Sequence, residues 1–457
     1  MAPGAPARET CGAGRQRCFG AARARAERAM APEPSGDGSG AAGGGSRVCF
    51  SGVEILAPMV RASTLALRLE CLRYGADLVF GEEIIDKKLI GAARVENSAF
   101  GTVDFVSPRE KVLIFATSKE ERSRVFFQMG TADAALATQA AMLVARDVRG
   151  IDVNMGCPKS FSVKGGMGAA LLSTPEVASD ILRALRRNLP ESCALTCKIR
   201  MLETTAKTRD FMQLCEKSGA EAVTVHCRTR DERPAEPAHW DEIMRLWDAV
   251  KVPVICNGDF FTRRQIDEFW KFCHGAGAAD GAAAGEKAGP SGIMIARGAL
   301  WNPSIFCRDA SVVPSFEDMV RNYVRAAVRA NSTYQNCKWV LSQMLAGGVG
   351  VTAPNEFVGV PTKAFNRQLS TMKSMGAICE KLGIPHDAAS FPQQAHMTTY
   401  YRGWEPLDAQ AAAAAAGGTL PQKRPGDQHR EEIEDVAPEL RGEADDDAAR
   451  KRARTEA

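Results

Sequence analysis

With 457 residues, 25% of them charged and 45% hydrophobic, the chain can bury a large core and has length for more than one domain. A net charge of +3 excludes whole-molecule attraction to nucleic acid, so any such contact must come from a local basic patch. The 14 cysteines include no Cys-x-x-Cys pair and sit mostly in hydrophobic runs, which argues against a metal site or a disulfide framework and for a reducing compartment.

Residues 1–47 are rich in Gly, Ala, Pro and Arg and cannot bury enough apolar surface to fold alone, so they are expected to be a disordered extension. Arg8, Arg15, Arg17, Arg23, Arg25 and Arg28 outnumber Glu9 and Glu27 before Met30, a hint of an organelle transit segment. Serine is scarce there, however, and Met30 offers a second start, so the plain extension is preferred. From Val53 short apolar runs alternate with amphipathic stretches. The runs are Val53–Met59, Leu78–Phe80, Val125–Met129, Ile151–Met155, Ala194–Ile199, Ala222–His226, Val252–Cys256 and Ile293–Ala296. Thr64–Tyr74, the stretch opened by Thr174-Pro175-Glu176, Arg209–Ser218 and Thr262–Phe272 carry helical spacing, with Thr174 as cap and Pro175 at the first helical position. Eight strands alternating with helices over some 250 residues predict an α/β fold, a closed (β/α)8 TIM barrel spanning residues 48–308. An open doubly wound sheet would carry a Gly-x-Gly after its first strand, where this chain has Ala57-Pro58-Met59.

Two insertions interrupt the alternation: Thr102–Thr117, read as a hairpin, and the Gly/Ala-rich Gly275–Gly292, read as a surface loop. Phe316–Leu345 and Lys363–Leu382 have apolar spacings of three and four, which predicts a small helical domain over residues 309–385. Residues 386–457 form a low-complexity charged tail whose Arg450-Lys451-Arg452-Ala453-Arg454 cluster suits a nuclear signal, a nucleic-acid contact or a solvated tail equally. No apolar run approaches the roughly 20 residues that cross a bilayer, so no membrane partner is expected.

The most informative stretch is Val153-Asn154-Met155-Gly156-Cys157-Pro158, followed by Lys164-Gly165-Gly166-Met167-Gly168. A thiol between glycine and proline is either a buried hydrophobe at a strand end or a group held stiffly toward a reaction. Catalytic groups of a barrel gather at the C-terminal ends of its strands, and these ends are consistently polar or glycine-bearing. They read Ala57-Pro58-Met59, Glu82-Glu83, Gln128-Met129-Gly130, the Cys157 motif, Lys198-Ile199-Arg200, His226-Cys227-Arg228-Thr229-Arg230, Asn257-Gly258-Asp259 and Ala296-Arg297-Gly298. The last two ends stand where barrels bind phosphate, and glycine donors with an arginine suit a dianion. Gln128, Asn257 and Lys198 suit a polar planar ring. A lysine near a flavin stabilises the negative charge of its reduced form, and His226 is placed to hold phosphate or ring. No metal is expected. A nucleophile or metal ligand at Cys157 would want a neighbouring base or further cysteines, and the motif supplies neither.

This ordered set of strand ends resembles that of the tRNA-dihydrouridine synthases over roughly residues 53–385. Glu82-Glu83 with Asp86, Asp152-Val153-Asn154-Met155, and Ala299-Leu300-Trp301-Asn302-Pro303 are most similar to the eukaryotic branch acting at position 20 of the D-loop. The resemblance implies FMN as cofactor, NADPH or NADH as reductant and tRNA as partner and substrate. In it, reduced flavin passes hydride to C6 of uracil while Cys157, the matching acid, protonates C5. The implied cofactor set is Pro58, Met59, Val60, Gln128, Lys198, His226, Asn257, Gly258, Asp259, Ala296 and Arg297. The implied substrate set is Asn154, Lys159, Lys164, Arg200, Arg228 and Arg230, with Arg233 on the same basic rim. A flavin barrel acting on a free pyrimidine and a non-catalytic tRNA binder are the alternatives. Oligomeric state is not legible. Cytoplasmic placement is expected, with the basic tail compatible with nuclear entry.

Overall fold

In the computed structural model the described residues are 48–274, 289–348 and 351–385. Both tails and most of the Gly275–Gly292 insertion lie outside them, so the expectations made there are not addressed. In chain order the strands of the main body are β1 Val53–Leu56, β2 Leu78–Phe80, β3 Ile84–Ile85, β4 Ala93–Asn97, β5 Thr102–Ser107, β6 Val112–Ser118, β7 Val125–Gly130, β8 Gly150–Met155, β9 Ala194–Met201, β10 Ala222–Thr229, β11 Val254–Asn257 and β12 Gly292–Ile295. Eight of them pair in the order β2-β1-β12-β11-β10-β9-β8-β7, all parallel, and β2 meets β7 to close the ring. This is the expected TIM barrel.

The strands show why it closes. Side chains alternate between the two faces of a strand, so every second residue enters the barrel. The lower interior is apolar: Val53 and Ile55, Leu78 and Phe80, Phe126, Ala194, Ala222 and Ile255 form one buried cluster. Phe80 and Phe126 stack with ring centroids 4.7 Å apart, and Gly150 leaves them room, since a Cβ there would stand 2.3 Å from the Phe126 ring. Two residues further along each strand the interior turns polar, with Gln128, Asp152, Thr196 and Thr224 all buried. Two further on stand Asn154, Lys198 and His226. Register locks these layers: Gln128 lies opposite Asp152, Asp152 opposite Thr196, Asn154 opposite Lys198 and His226 opposite Asn257. The outward faces pack against the surrounding helices in a second, larger cluster.

Helices follow where spacing placed them, at Leu65–Arg73, Pro175–Asn188, Thr205–Lys217 and Arg263–His274. Pro175 does hold a first-turn position, but Thr174 does not cap; its hydroxyl donates to the Ala170 carbonyl instead. The hairpin β5–β6 forms, and β4 adds a third antiparallel strand that the pattern did not reveal. Its sequence, Ala-Arg-Val-Glu-Asn, is half-exposed and mostly polar, so it has no apolar face to announce it. A buried ion pair anchors this insertion. Arg68 donates from Nε and Nη2 to Glu121 at 2.8 and 2.7 Å, and its remaining donors reach the Ser63 and Ala116 carbonyls.

After the barrel come helices Phe316–Arg329, Tyr334–Ala346, Thr362–Thr371 and Met375–Lys381. The first break falls at Asn331, whose φ of 51° is left-handed, and Thr333 caps the next helix. The Phe316–Arg329 helix packs on Leu65–Arg73, and Asn322 donates to the Tyr74 hydroxyl at 3.1 Å. One barrel residue ties the two parts together. Arg61, left-handed at φ 67°, donates its N–H to Glu82 at 2.7 Å and accepts from Asn336 Nδ2 at 2.6 Å. Its guanidinium stands 5.2 Å over the Trp339 ring. Among the described residues no helix is long and apolar enough to cross a membrane.

Candidate active site

A cavity of about 270 Å³ opens at the C-terminal ends of the barrel strands, near the lower end of the range for small-molecule sites. Pro58 and Val60 from the β1 loop, Gln128 from β7, Asn154 from β8 and Cys157 from the loop after it, and Lys198 and Arg200 from β9 line it. His226 and Arg228 from β10, Asn257 at the end of β11 with Gly258 and Asp259 beyond it, and Ala296 and Arg297 beyond β12 complete the ring. Fourteen of the residues singled out in the sequence thus converge on one space.

Polar groups around Cys157 form a connected chain. Thr196 and Gln128 both donate to the Asp152 carboxylate, at 2.7 and 2.8 Å. The Gln128 carbonyl accepts from Asn154 at 3.3 Å, and the Asn154 carbonyl accepts the backbone N–H of Gly156 and of Cys157 at 2.9 and 3.0 Å. Asn154 therefore acts on the thiol by fixing its loop. The glycine-rich segment closes that loop from outside. The Cys157 carbonyl accepts from Ala169 at 2.9 Å, and Gly168, at φ 56°, could not carry a side chain because its Cβ would lie 2.6 Å from that carbonyl. Burial and the nearby Glu83 charge push the Cys157 thiol up to about 11, so it is protonated at neutral pH. Burial holds Asp152 up to about 6.

Facing this wall are cations and imidazole. Burial, with Arg200 beside it, pulls Lys198 down to about 8, and Lys198 makes no hydrogen bond or ion pair among the described residues. Burial and the neighbouring Lys198 and arginines hold His226 well below the usual imidazole range, so its ring is neutral. Gly258 leaves the space beside that ring: at φ 133°, a Cβ there would stand 2.8 Å from Ala238 Cβ and 3.4 Å from His226 Cδ2.

Several placements differ from the sequence expectation. Arg228 is not on a rim; its side chain is 3% exposed and grips Asp259 through two hydrogen bonds of 2.7 and 2.5 Å, while donating to the Glu236 carbonyl. A strand end read as surface charge is thus an interior strut, because position 228 shares the inward face with His226. Arg200 is also engaged, donating to the Gly156, Thr229 and Glu232 carbonyls. Met59 does not line the cavity; its N–H is taken by Ser63. Lys159, Lys164, Arg230 and Arg233 are exposed outside it. Glu83 lines the cavity, and Asp152 is buried behind Gln128, which lines it; neither was assigned a role in the sequence. The signal for Glu83 was a carboxylate doublet at a strand end; for Asp152 it was the two-residue spacing to Asn154. Among the described residues no group of three or more His, Cys, Asp or Glu side chains could hold a metal ion.

A family model described as dihydrouridine synthase (Dus) matches residues 55–347. A protein of Schizosaccharomyces pombe named tRNA-dihydrouridine(20) synthase (NAD(P)+) is 38% identical over 306 residues, which are 65% of this chain and 60% of that protein. The Saccharomyces cerevisiae protein of the same name is 38% identical over 318 residues, 66% of this chain and 79% of that one. A Schizosaccharomyces pombe protein named tRNA-dihydrouridine(20a/20b) synthase (NAD(P)+) is 35% identical over 254 residues, 56% of this chain and 68% of that protein.

Proposed function

The chain belongs to the dihydrouridine synthase family, and on that premise we propose that it reduces uridine to 5,6-dihydrouridine in the tRNA D-loop, at position 20. The observation that carries this is a thiol kept protonated on a rigid loop, at one wall of a cavity whose other wall offers an uncommitted cation and a neutral imidazole.

The residues fit FMN. Lys198 is a half-buried cation that makes no hydrogen bond or ion pair among the described residues, and Gly258 keeps clear the space beside His226. Gln128, Lys198, His226 and Asn257 would hold the ring, and Gly258, Ala296 and Arg297 the phosphate. When bound, the flavin supplies a hydride drawn from NADPH or NADH. The chain's own work is then fourfold. Lys198, charged below about pH 8, offsets negative charge that develops beside it. His226 offers hydrogen bonds without adding charge. Asn154 fixes the Cys157 loop, and Cys157 delivers a proton to C5 of the uracil, for which a weakly acidic thiol is suited. The base cannot be reached within folded RNA and must be extruded into the cavity. Exposed Lys159, Lys164, Arg230 and Arg233 are suited to phosphate contacts, and the helices after Phe316 to holding the rest of the tRNA.

The test is incubation of unmodified tRNA with the protein and NADPH or NADH, followed by mass spectrometry of position 20. A gain of two hydrogens there, absent with Cys157→Ala although that variant still binds flavin, is the expected result. Flavin-loaded protein that reduces free uracil and leaves tRNA unchanged overturns the proposal.

A further inference from the structure

The thiol does not stand alone. Cys157 hydrogen-bonds the Glu83 carboxylate, which also accepts from the Ser162 hydroxyl at 3.4 Å. Glu83 reaches this place from the end of β2 because Gly130, at the end of β7, has no side chain; a Cβ there would stand 2.7 Å from Glu83 Oε1. So three elements place one carboxylate against one thiol, and both line the cavity.

We propose that Glu83 is the positioning residue that holds the Cys157 thiol protonated and aimed, and that returns its proton after each turnover. This rests on the reading of Cys157 as the acid that protonates uracil. In that step the Sγ–H bond breaks, a C5–H bond forms with the electron pair left on C5 after hydride arrival from the reduced flavin, and the thiol's own pair stays on sulfur. The thiolate so made lies against Glu83. The carboxylate takes a proton from solvent at the cavity mouth and passes it to Sγ, so the thiol is restored and Glu83 is again the carboxylate it was at the start. Burial raises the affinity of Glu83 for a proton, which suits a carboxylate that must take one from solvent before passing it on.

The other charged groups near the thiol do not serve this purpose. Lys198 and Arg200 face it from β9, and their positive charge favours the thiolate. The Lys159 backbone and the Ser162 hydroxyl on its own loop also stabilise the thiolate. Glu83 is the group among these whose charge keeps the proton on sulfur.

The test uses the flavin-loaded full chain and follows alkylation of the Cys157 peptide by iodoacetamide against pH. Glu83→Gln keeps the size and removes the charge, so the alkylation midpoint should move to lower pH by about one unit or more. The tRNA turnover number should fall about tenfold with little change in KM, because proton return, and not RNA binding, is lost. Gly130→Ala is the second variant: its methyl pushes the carboxylate aside and should move the midpoint in the same direction by less, even if Glu83→Gln does not fold. Equal midpoints in the wild type and the folded variants overturn the proposal. Alkylation reports on the thiol–carboxylate contact even where no dihydrouridine forms, so failure here and failure of the assigned reaction are separate results.

Discussion

On the β2, β7 and β8 side of the cavity, Glu83, Asp152 and Cys157 hold protons more tightly than they would in water; on the β9 and β10 side, Lys198 and His226 hold them less tightly. The two walls share one dominant cause. Removal from water disfavours the charged form of either sign, so acids rise and bases fall. The difference between them is therefore one of residue type, not of environment: a single dry pocket produces proton donors on one side and weakly held cations on the other. Beyond Lys198, the arginines satisfy themselves on carbonyls and Asp259.

The comparison can be broken most severely at the thiol. Cys157→Ala should lower dihydrouridine formation by about 10²–10⁴-fold, the range for loss of a general acid, with flavin still bound in the absorbance spectrum. On the opposite wall, Arg228→Ala leaves Asp259 without its main partner and should cost about 3 kcal/mol of stability, read from the urea unfolding midpoint. A pH profile sharpens the contrast. Lys198 loses its charge as pH rises through about 8, so turnover should decline above that value, by about tenfold per unit if the cation is essential. Lys198→Met should be slow at all pH values and lack that alkaline limb. The smallest effect belongs outside the cavity: Arg230→Ala should weaken tRNA binding only a few-fold and reduce the slope of log K against log salt by about 1, measured by titration at several salt concentrations.

The barrel was legible because its strands are apolar runs at regular spacing, and parallel strands buried on both faces leave that mark. Cys157, Lys198, His226 and Asn257 were legible because a barrel puts its chemistry at strand ends. What strand-end logic does not show is which way a long side chain turns. Arg228 and Arg230 look alike in the sequence, yet one is an interior strut and the other is exposed. Glu83 was hidden for another reason: its partner is 74 positions away, and the opening that admits it belongs to Gly130, whose absent side chain carries no pattern. Strand β4 escaped because an exposed edge needs no apolar alternation.

Arg61 draws these parts into a single measuring device. Its N–H is fastened at Glu82, next to Glu83, while its carbonyl and guanidinium are fastened to Asn336 and Trp339 on the Tyr334–Ala346 helix. The span from that helix to the thiol is thereby set before any RNA arrives. On the proposed function, a tRNA docked on the helices would present to the thiol the nucleotide lying at that span, so the choice of base would become a matter of length. Lengthening the β1 loop by one residue should then move the modified position along the RNA rather than merely slow the reaction.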